Sequence, residues 1–116
     1  MGKNKELGQE GEQLAAEYLS KKGWEILEMN YRYRRSEIDL IATKNELLIF
    51  VEVKLRSNLA FGLPEDFVDN KKSRQIMNAA EHYILEYNWK GDIRFDIISV
   101  IKTNKQEIEH IEDAFY

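Results

Sequence analysis

Glu37-Ile38-Asp39-Leu40-Ile41-Ala42-Thr43-Lys44-Asn45-Glu46-Leu47-Leu48-Ile49-Phe50-Val51-Glu52-Val53-Lys54 reads as two strands around a tight turn. Glu37 to Thr43 forms the first strand, and Leu47 to Leu55 the second. The second is nearly all apolar, as a central strand buried on both faces must be. Between them, Lys44-Asn45 suits a hairpin turn, because asparagine tolerates positive φ. Strand period two puts Glu52 and Lys54 on one face, with Val53 opposite. Taken alone, Glu52-x-Lys54 is equally a salt-bridged pair at an exposed strand end. The register makes the difference. A turn of two or four residues centred on Lys44-Asn45 sets Glu37 opposite Glu52, and Asp39 opposite Phe50, diagonal to Glu52. Glu37, Asp39, Glu52 and Lys54 then share a face, whereas an odd-length turn separates them. Carboxylates facing one another across a pair destabilise the sheet, so three of them converging call for a cation. Their oxygens, without Cys or His, suit Mg²⁺ or Mn²⁺.

Outward from the hairpin, helical spacing of Leu7, Leu14, Ala15, Tyr18 and Leu19 predicts an N-terminal helix. Gly23 after Lys21-Lys22 stops it. Leu27, Met29, Tyr31 and Tyr33 alternate, so Trp24 to Tyr33 reads as a strand. Asn58 to Asp66, with Gly62 and the sole proline Pro64, reads as a loop. Asp69 can cap a second helix ending near Tyr87, with Ile76, Ala80, Tyr83, Ile84 and Tyr87 inward. Gly91 closes it, and strands follow at Ile93 to Lys102 and Ile108 to Ile111. The order α-β-β-β-α-β-β predicts an α/β fold, a mixed sheet flanked by helices, in a single domain over residues 1–116.

The 116 residues are enough for one core without staples. Absence of cysteine excludes disulfides, zinc-thiolate sites and cysteine nucleophiles. It also fits a reducing cytoplasm. No apolar leader or membrane-spanning stretch is evident. The net charge of −4 disfavours bulk nucleic-acid binding. Its distribution is more informative, since residues 30–74 hold nine Lys/Arg against seven Asp/Glu. Arg32, Arg34, Arg35, Arg56, Lys71, Lys72 and Arg74 are the candidate phosphate contacts. Arg34-Arg35 belongs to the first hairpin. Lys71-Lys72-x-Arg74 opens the second helix, where cations oppose the helix dipole. Tyr31, Tyr33 and Phe61 are either core aromatics or base-stacking platforms. His82 and His110 lack metal-ligand company, and Asp96 can pair with Arg94 or Arg32.

Gly8-x-x-Gly11-Glu12, Asn30-Tyr31-Arg32, Glu37-Ile38-Asp39-Leu40-Ile41-Ala42 and Phe50-Val51-Glu52-Val53-Lys54-x-Arg56 together resemble the YraN family. That is an uncharacterised bacterial group within the PD-(D/E)xK nuclease superfamily, similar in fold to archaeal Holliday junction resolvases. Ser36 departs from the glycine usual before Glu-Ile-Asp, and a small residue still fits there. The resemblance implies a restriction-endonuclease-like core and a metal-dependent endonuclease, acting on DNA rather than RNA, with a homodimer expected. It implies that Asp39, Glu52 and the Val53 carbonyl hold Mg²⁺ or Mn²⁺. It makes Lys54 the residue that positions the attacking water and stabilises negative charge. Glu12 matches the helix carboxylate that points toward the metal. On the helical wheel Glu12 borders the apolar stripe, so it either faces the sheet or simply favours the helix start. Three roles fit Glu37: a second ligand, an arginine partner, or a solvated strand-start residue. Two non-enzymatic readings stay open, a nucleic-acid binding domain with little catalysis and a protein-interaction domain.

Overall fold

The computed structural model describes residues 2–56, 70–102 and 105–115, with side chains from residue 9 onward and excluding residue 70. The elements are α1 (Gly2–Lys21), β1 (Glu25–Tyr33), β2 (Ser36–Lys44), β3 (Leu47–Arg56), α2 (Asn70–Tyr87), β4 (Asp92–Lys102) and β5 (Gln106–Ile111). This is the expected order. The Asn58 to Asp66 loop, the Asp69 cap and Phe61 lie outside the described residues. No helix among those described is long and apolar enough to cross a membrane.

The five strands form one sheet in the order β1-β2-β3-β4-β5. β3 and β4 are parallel, and the other neighbours are antiparallel. A parallel pair needs a crossover, and α2 lies on the connection between β3 and β4. As the apolar run predicts, Leu48, Ile49, Phe50 and Val51 are fully buried at the centre. On one face Phe50, Leu48 and Ile97 pack with Ile76, Ala79, Ala80 and Tyr83 of α2. On the other, Ile49, Val51, Ile98 and Val100 pack with Ala15, Ala16 and Leu19 of α1. Each such side chain, fully buried, contributes about 1.5–3 kcal/mol. The result is helix, sheet, helix, with β3 in the middle. Tyr87, expected to face inward, is 55% exposed. It sits on the last turn of α2, its ring 4.5 Å from that of Tyr83.

Three local features position the site. First, the β2–β3 turn falls on Asn45-Glu46, not Lys44-Asn45. Lys44 pairs with Leu47, and Asn45 and Glu46 both have positive φ, 50° and 65°. That is the left-handed pair that matches strand twist in two-residue hairpins. Paired numbers therefore follow Leu40↔Val51, two residues from the expected register. A shift of two changes the pairing partners but not the face each β3 side chain takes, and the carboxylates that come together are Glu12, Glu37 and Asp39, with Glu52 outside that group. Second, alternation breaks in the middle of β1 and β2. Ile38 joins the α2-side core and Leu40 the α1-side core, although residues two apart in a strand normally share a face. Opposite this break, Asn30 has φ 57°, between the rungs Met29↔Leu40 and Tyr31↔Ile38. The same break leaves Met29 39% exposed, against the simple alternation the sequence displays. Third, Gly11 lets α1 lie close to β3. A Cβ there would meet the Leu55 Cβ at 3.3 Å and Val53 at 3.6 Å.

Candidate metal centre and cleft

Asp39 stands at the break in β2, one step past the last β2–β3 rung, Leu40↔Val51. Its carboxylate takes over from the ladder, with Oδ2 accepting the Val53 N–H at 2.8 Å. The side chain is thereby fixed by the neighbouring backbone. Because α1 approaches closely at Gly11, the next residue, Glu12, reaches the same place. Carboxylate oxygens of Glu12, Glu37 and Asp39 all lie within 4.8 Å of one another. Such a convergence of hard oxygen donors is the kind that Mg²⁺ or Mn²⁺ takes.

Electrostatically this cluster is short of positive charge. Burial, then the charge of Glu52, pushes the Asp39 carboxyl up to about 8; Glu12 adds to this, while the Val53 N–H and the charge of Lys72 oppose it without overcoming it. Burial likewise raises Glu12, against hydrogen bonds with Asn30 and Asp39. Glu37 is shared with Arg32, whose Nη2 lies 3.0 Å from its Oε2. Of the three roles open to Glu37, the structure thus supports two together, an arginine partner and a member of the cluster.

Glu52 is treated differently. It is buried, at 5% exposure. Its Oε1 pairs with Lys54 Nζ at 3.4 Å and accepts a hydrogen bond from Lys72 Nζ. Burial lowers the Lys54 amine despite Glu52. Lys72 is also disfavoured by burial, but hydrogen bonding and charge attraction to Glu52 outweigh that and leave it raised. The expected site residues therefore gather as Glu12, Glu37 and Asp39 on one side, with Glu52, Lys54 and Lys72 on the other.

An open cleft of about 490 Å³ runs beside them. Asp39, Glu37, Glu52, Arg35, Lys71 and Lys72 line it, as does Gln75. Not every candidate cation is there. Arg34 lies over the Tyr33 ring at 5.2 Å, beside a neighbouring cleft with His82. Arg74 borders a separate hollow with Met77 and Phe115. Arg56 ends β3, past Lys54. Tyr33 stacks on His82 at 4.1 Å, and Tyr31 packs edge-on against Tyr83 at 5.2 Å, so both rings serve the core edge.

Two contributors escaped the sequence reading. Asn30 supports Glu12; the sequence showed it only as part of the Asn30-Tyr31-Arg32 motif, with no role attached. Lys72 was legible as a cation at a helix start, but its contact with Glu52 depends on where the crossover sets α2.

Similarity to known proteins is extensive. The model of "Uncharacterised protein family UPF0102" matches residues 11–100. A UPF0102 protein from Christiangramia forsetii is 49% identical over 117 residues, covering 100% of this chain and 98% of the relative. One from Flavobacterium psychrophilum is 46% identical, with 100% and 98% covered. One from Alkaliphilus oremlandii is also 46% identical, with 97% and 99% covered.

Proposed function

The chain belongs to the uncharacterised protein family UPF0102, and from its acidic cleft we propose that it is a divalent-metal-dependent nuclease that hydrolyses phosphodiester bonds in DNA. One observation carries this reading: Asp39, pushed up to about 8, sits in a partly buried carboxylate cluster beside a cleft lined by cations. A carboxylate cluster short of positive charge binds a hard cation well, and a cationic cleft binds a phosphate. The donor set fits Mg²⁺ or Mn²⁺, since every candidate ligand is an oxygen. Asp39 and Glu52, with Glu12 and Glu37 close by and the Val53 carbonyl, are the residues that would hold it. When bound, the cation neutralises phosphate charge and makes water a better nucleophile.

The chain's own groups supply the rest. The Val53 N–H fixes the Asp39 carboxylate in one orientation, so little reorganisation is needed when charge changes there. Lys54, half-buried on the Glu52 face, places a positive charge where the pentavalent phosphate becomes more negative. Its lowered amine also exchanges a proton more readily than an exposed lysine. Arg35 and Lys71 line the cleft, and as exposed cations they position the nucleic-acid backbone without reading sequence.

The test is cleavage of branched, nicked, single-stranded and duplex DNA, and of RNA, by purified protein with Mg²⁺ or Mn²⁺. DNA cleavage that requires the metal and disappears in Lys54→Ala is expected. Inactivity on every substrate, with no metal-induced change in melting temperature, would sink the proposal. Salt-sensitive binding without cleavage in any metal would instead identify a binding domain of the same fold.

A further inference from the structure

Lys72 occupies an unusual position. It lies in the first turn of α2, where the helix dipole disfavours a cation. Its Nζ nevertheless donates to Glu52 Oε1, the oxygen that Lys54 Nζ also approaches at 3.4 Å. Two amines thus share one carboxylate oxygen, while Glu12, Glu37 and Asp39 cluster alongside with Arg32 as the flanking cation. The two amines are not equivalent. The Lys54 side chain is 18% exposed and extends from a central strand, whereas that of Lys72 is 40% exposed and borders the open cleft. Of the two, Lys72 can leave Glu52 and be rehydrated at little cost.

We propose that Lys72 is a built-in counter-ion that holds Glu52 when the site is free of metal and must be displaced from it for a divalent cation to bind. The inference rests on the metal-site reading above and adds a regulator to it. A cation binding Asp39 and Glu52 draws on the same carboxylate that Lys72 holds, so the ion pair competes with the metal by mass action. The cleft beside Glu52 gives the released ammonium room, which keeps the exchange reversible. Lys72 would therefore set the divalent concentration at which the site loads, and would keep a buried carboxylate from standing unpaired in the meantime.

Competition has a signature that a purely structural role lacks, because removing the residue should improve ligand binding. Mn²⁺ affinity is to be measured by electron paramagnetic resonance on the intact chain, comparing wild type, Lys72→Met, Lys72→Arg and Asp39→Asn. Lys72→Met should bind Mn²⁺ about three- to tenfold more tightly, the scale of losing a partly exposed charged competitor. Lys72→Arg should stay near wild type, and Asp39→Asn should bind weakly. In wild-type protein carrying ¹³C-labelled lysine, Mg²⁺ should shift the Lys72 Cε signal, and this readout needs no variant at position 72. Unchanged or weaker Mn²⁺ binding in a folded Lys72→Met, with wild type binding normally, overturns the inference alone. So does a Lys72 signal that ignores Mg²⁺ while the site is filling. Absence of Mn²⁺ binding in wild type and Lys72→Met alike overturns the metal-site reading itself.

Discussion

Two aspartates of the same sheet, one fully buried and one partly buried, have opposite fates. Asp96, on β4, is fully buried, yet its carboxylate is completely served. Arg94 donates twice, from Nε at 2.8 Å and Nη2 at 2.9 Å. His110 Nε2 lies 2.8 Å away, and the Asp113 N–H donates at 3.0 Å. Burial would raise this carboxyl, but the hydrogen bonds from His110, Arg94 and Asp113 outweigh it and hold it below the ordinary range. Among the described residues, Asp39 has the Val53 N–H as its backbone donor, and its charged neighbours are two carboxylates, Glu52 and Glu12, against one amine, Lys72. A satisfied buried charge is a rivet, here tying β5 and the C-terminal turn to β4. A partly buried carboxylate crowded by other carboxylates is a candidate ligand site.

The sharpest way to break this contrast is to neutralise each residue in turn. Asp39→Asn should abolish metal-dependent cleavage, a loss of at least about a hundredfold if the carboxylate holds the cation. The same variant should be more stable at neutral pH, by about 1 kcal/mol, because functional charges often cost stability. The sign follows from linkage. The folded-state value near 8 exceeds the ordinary 3.8, so the folded protein binds the proton more tightly. Stability then declines as pH rises through that window, and Asp39→Asn removes the decline. Chemical denaturation at pH 5 and pH 8 measures it, and a less stable Asp39→Asn at pH 8 would contradict the contrast.

Asp96→Ala should do the reverse. Breaking a fully buried, multiply bonded carboxylate leaves Arg94 and His110 without their acceptor, at about 3 kcal/mol. Mn²⁺ affinity should be retained in the protein that still folds. Because the Asp96 carboxyl is held low, its contribution is present above the ordinary carboxylate pKa and fades as acid takes the pH down through the folded value. Acid unfolding of wild type should therefore be steeper than that of Asp96→Ala.

A smaller effect tests how Glu12 is delivered. Gly11→Ala gains helix propensity of about 1 kcal/mol, but its Cβ meets Leu55 at 3.3 Å and requires α1 to shift by a few tenths of an ångström. The two contributions nearly cancel in stability. Mn²⁺ affinity should still fall, by about twofold to fivefold, as Glu12 backs away from Asp39. Equal affinity would show that α1 is not what sets the geometry of the cluster.

The residues that carry these contrasts were unequally visible in the chain. The elements and the central strand followed from apolar runs, and the face shared by Glu52 and Lys54 followed from period two. A turn misplaced by one residue moved the β2–β3 register by two, which changes pairing partners but not facing. Asp39's orientation was not legible, since it depends on an irregularity shared by two strands and on the Val53 N–H. Nor was the Glu52–Lys72 contact, which joins a strand to the helix of the crossover that follows it. The Asp96 network combined a foreseeable neighbour, Arg94, with His110 from the next strand and the Asp113 backbone beyond it. Period and propensity describe one segment at a time, and these features arise where segments meet.

The β2–β3 hairpin has one more consequence, for the order in which the protein assembles. Asp39, Glu52 and Lys54 belong to a contiguous piece of chain closed by the Asn45-Glu46 turn, whereas β4 must wait for the whole crossover before it can pair with β3. Local contacts form sooner than those that must first close a long loop. The acidic half of the site should thus exist, briefly, before α2 brings Lys72 to it. Pulse-labelled hydrogen exchange during refolding should find the Ala42 and Ile49 amides protected ahead of those of Val100 and Ile108. If the site takes a divalent cation, adding Mg²⁺ in that interval should speed the early phase, so that ligand binding would begin during folding rather than after it.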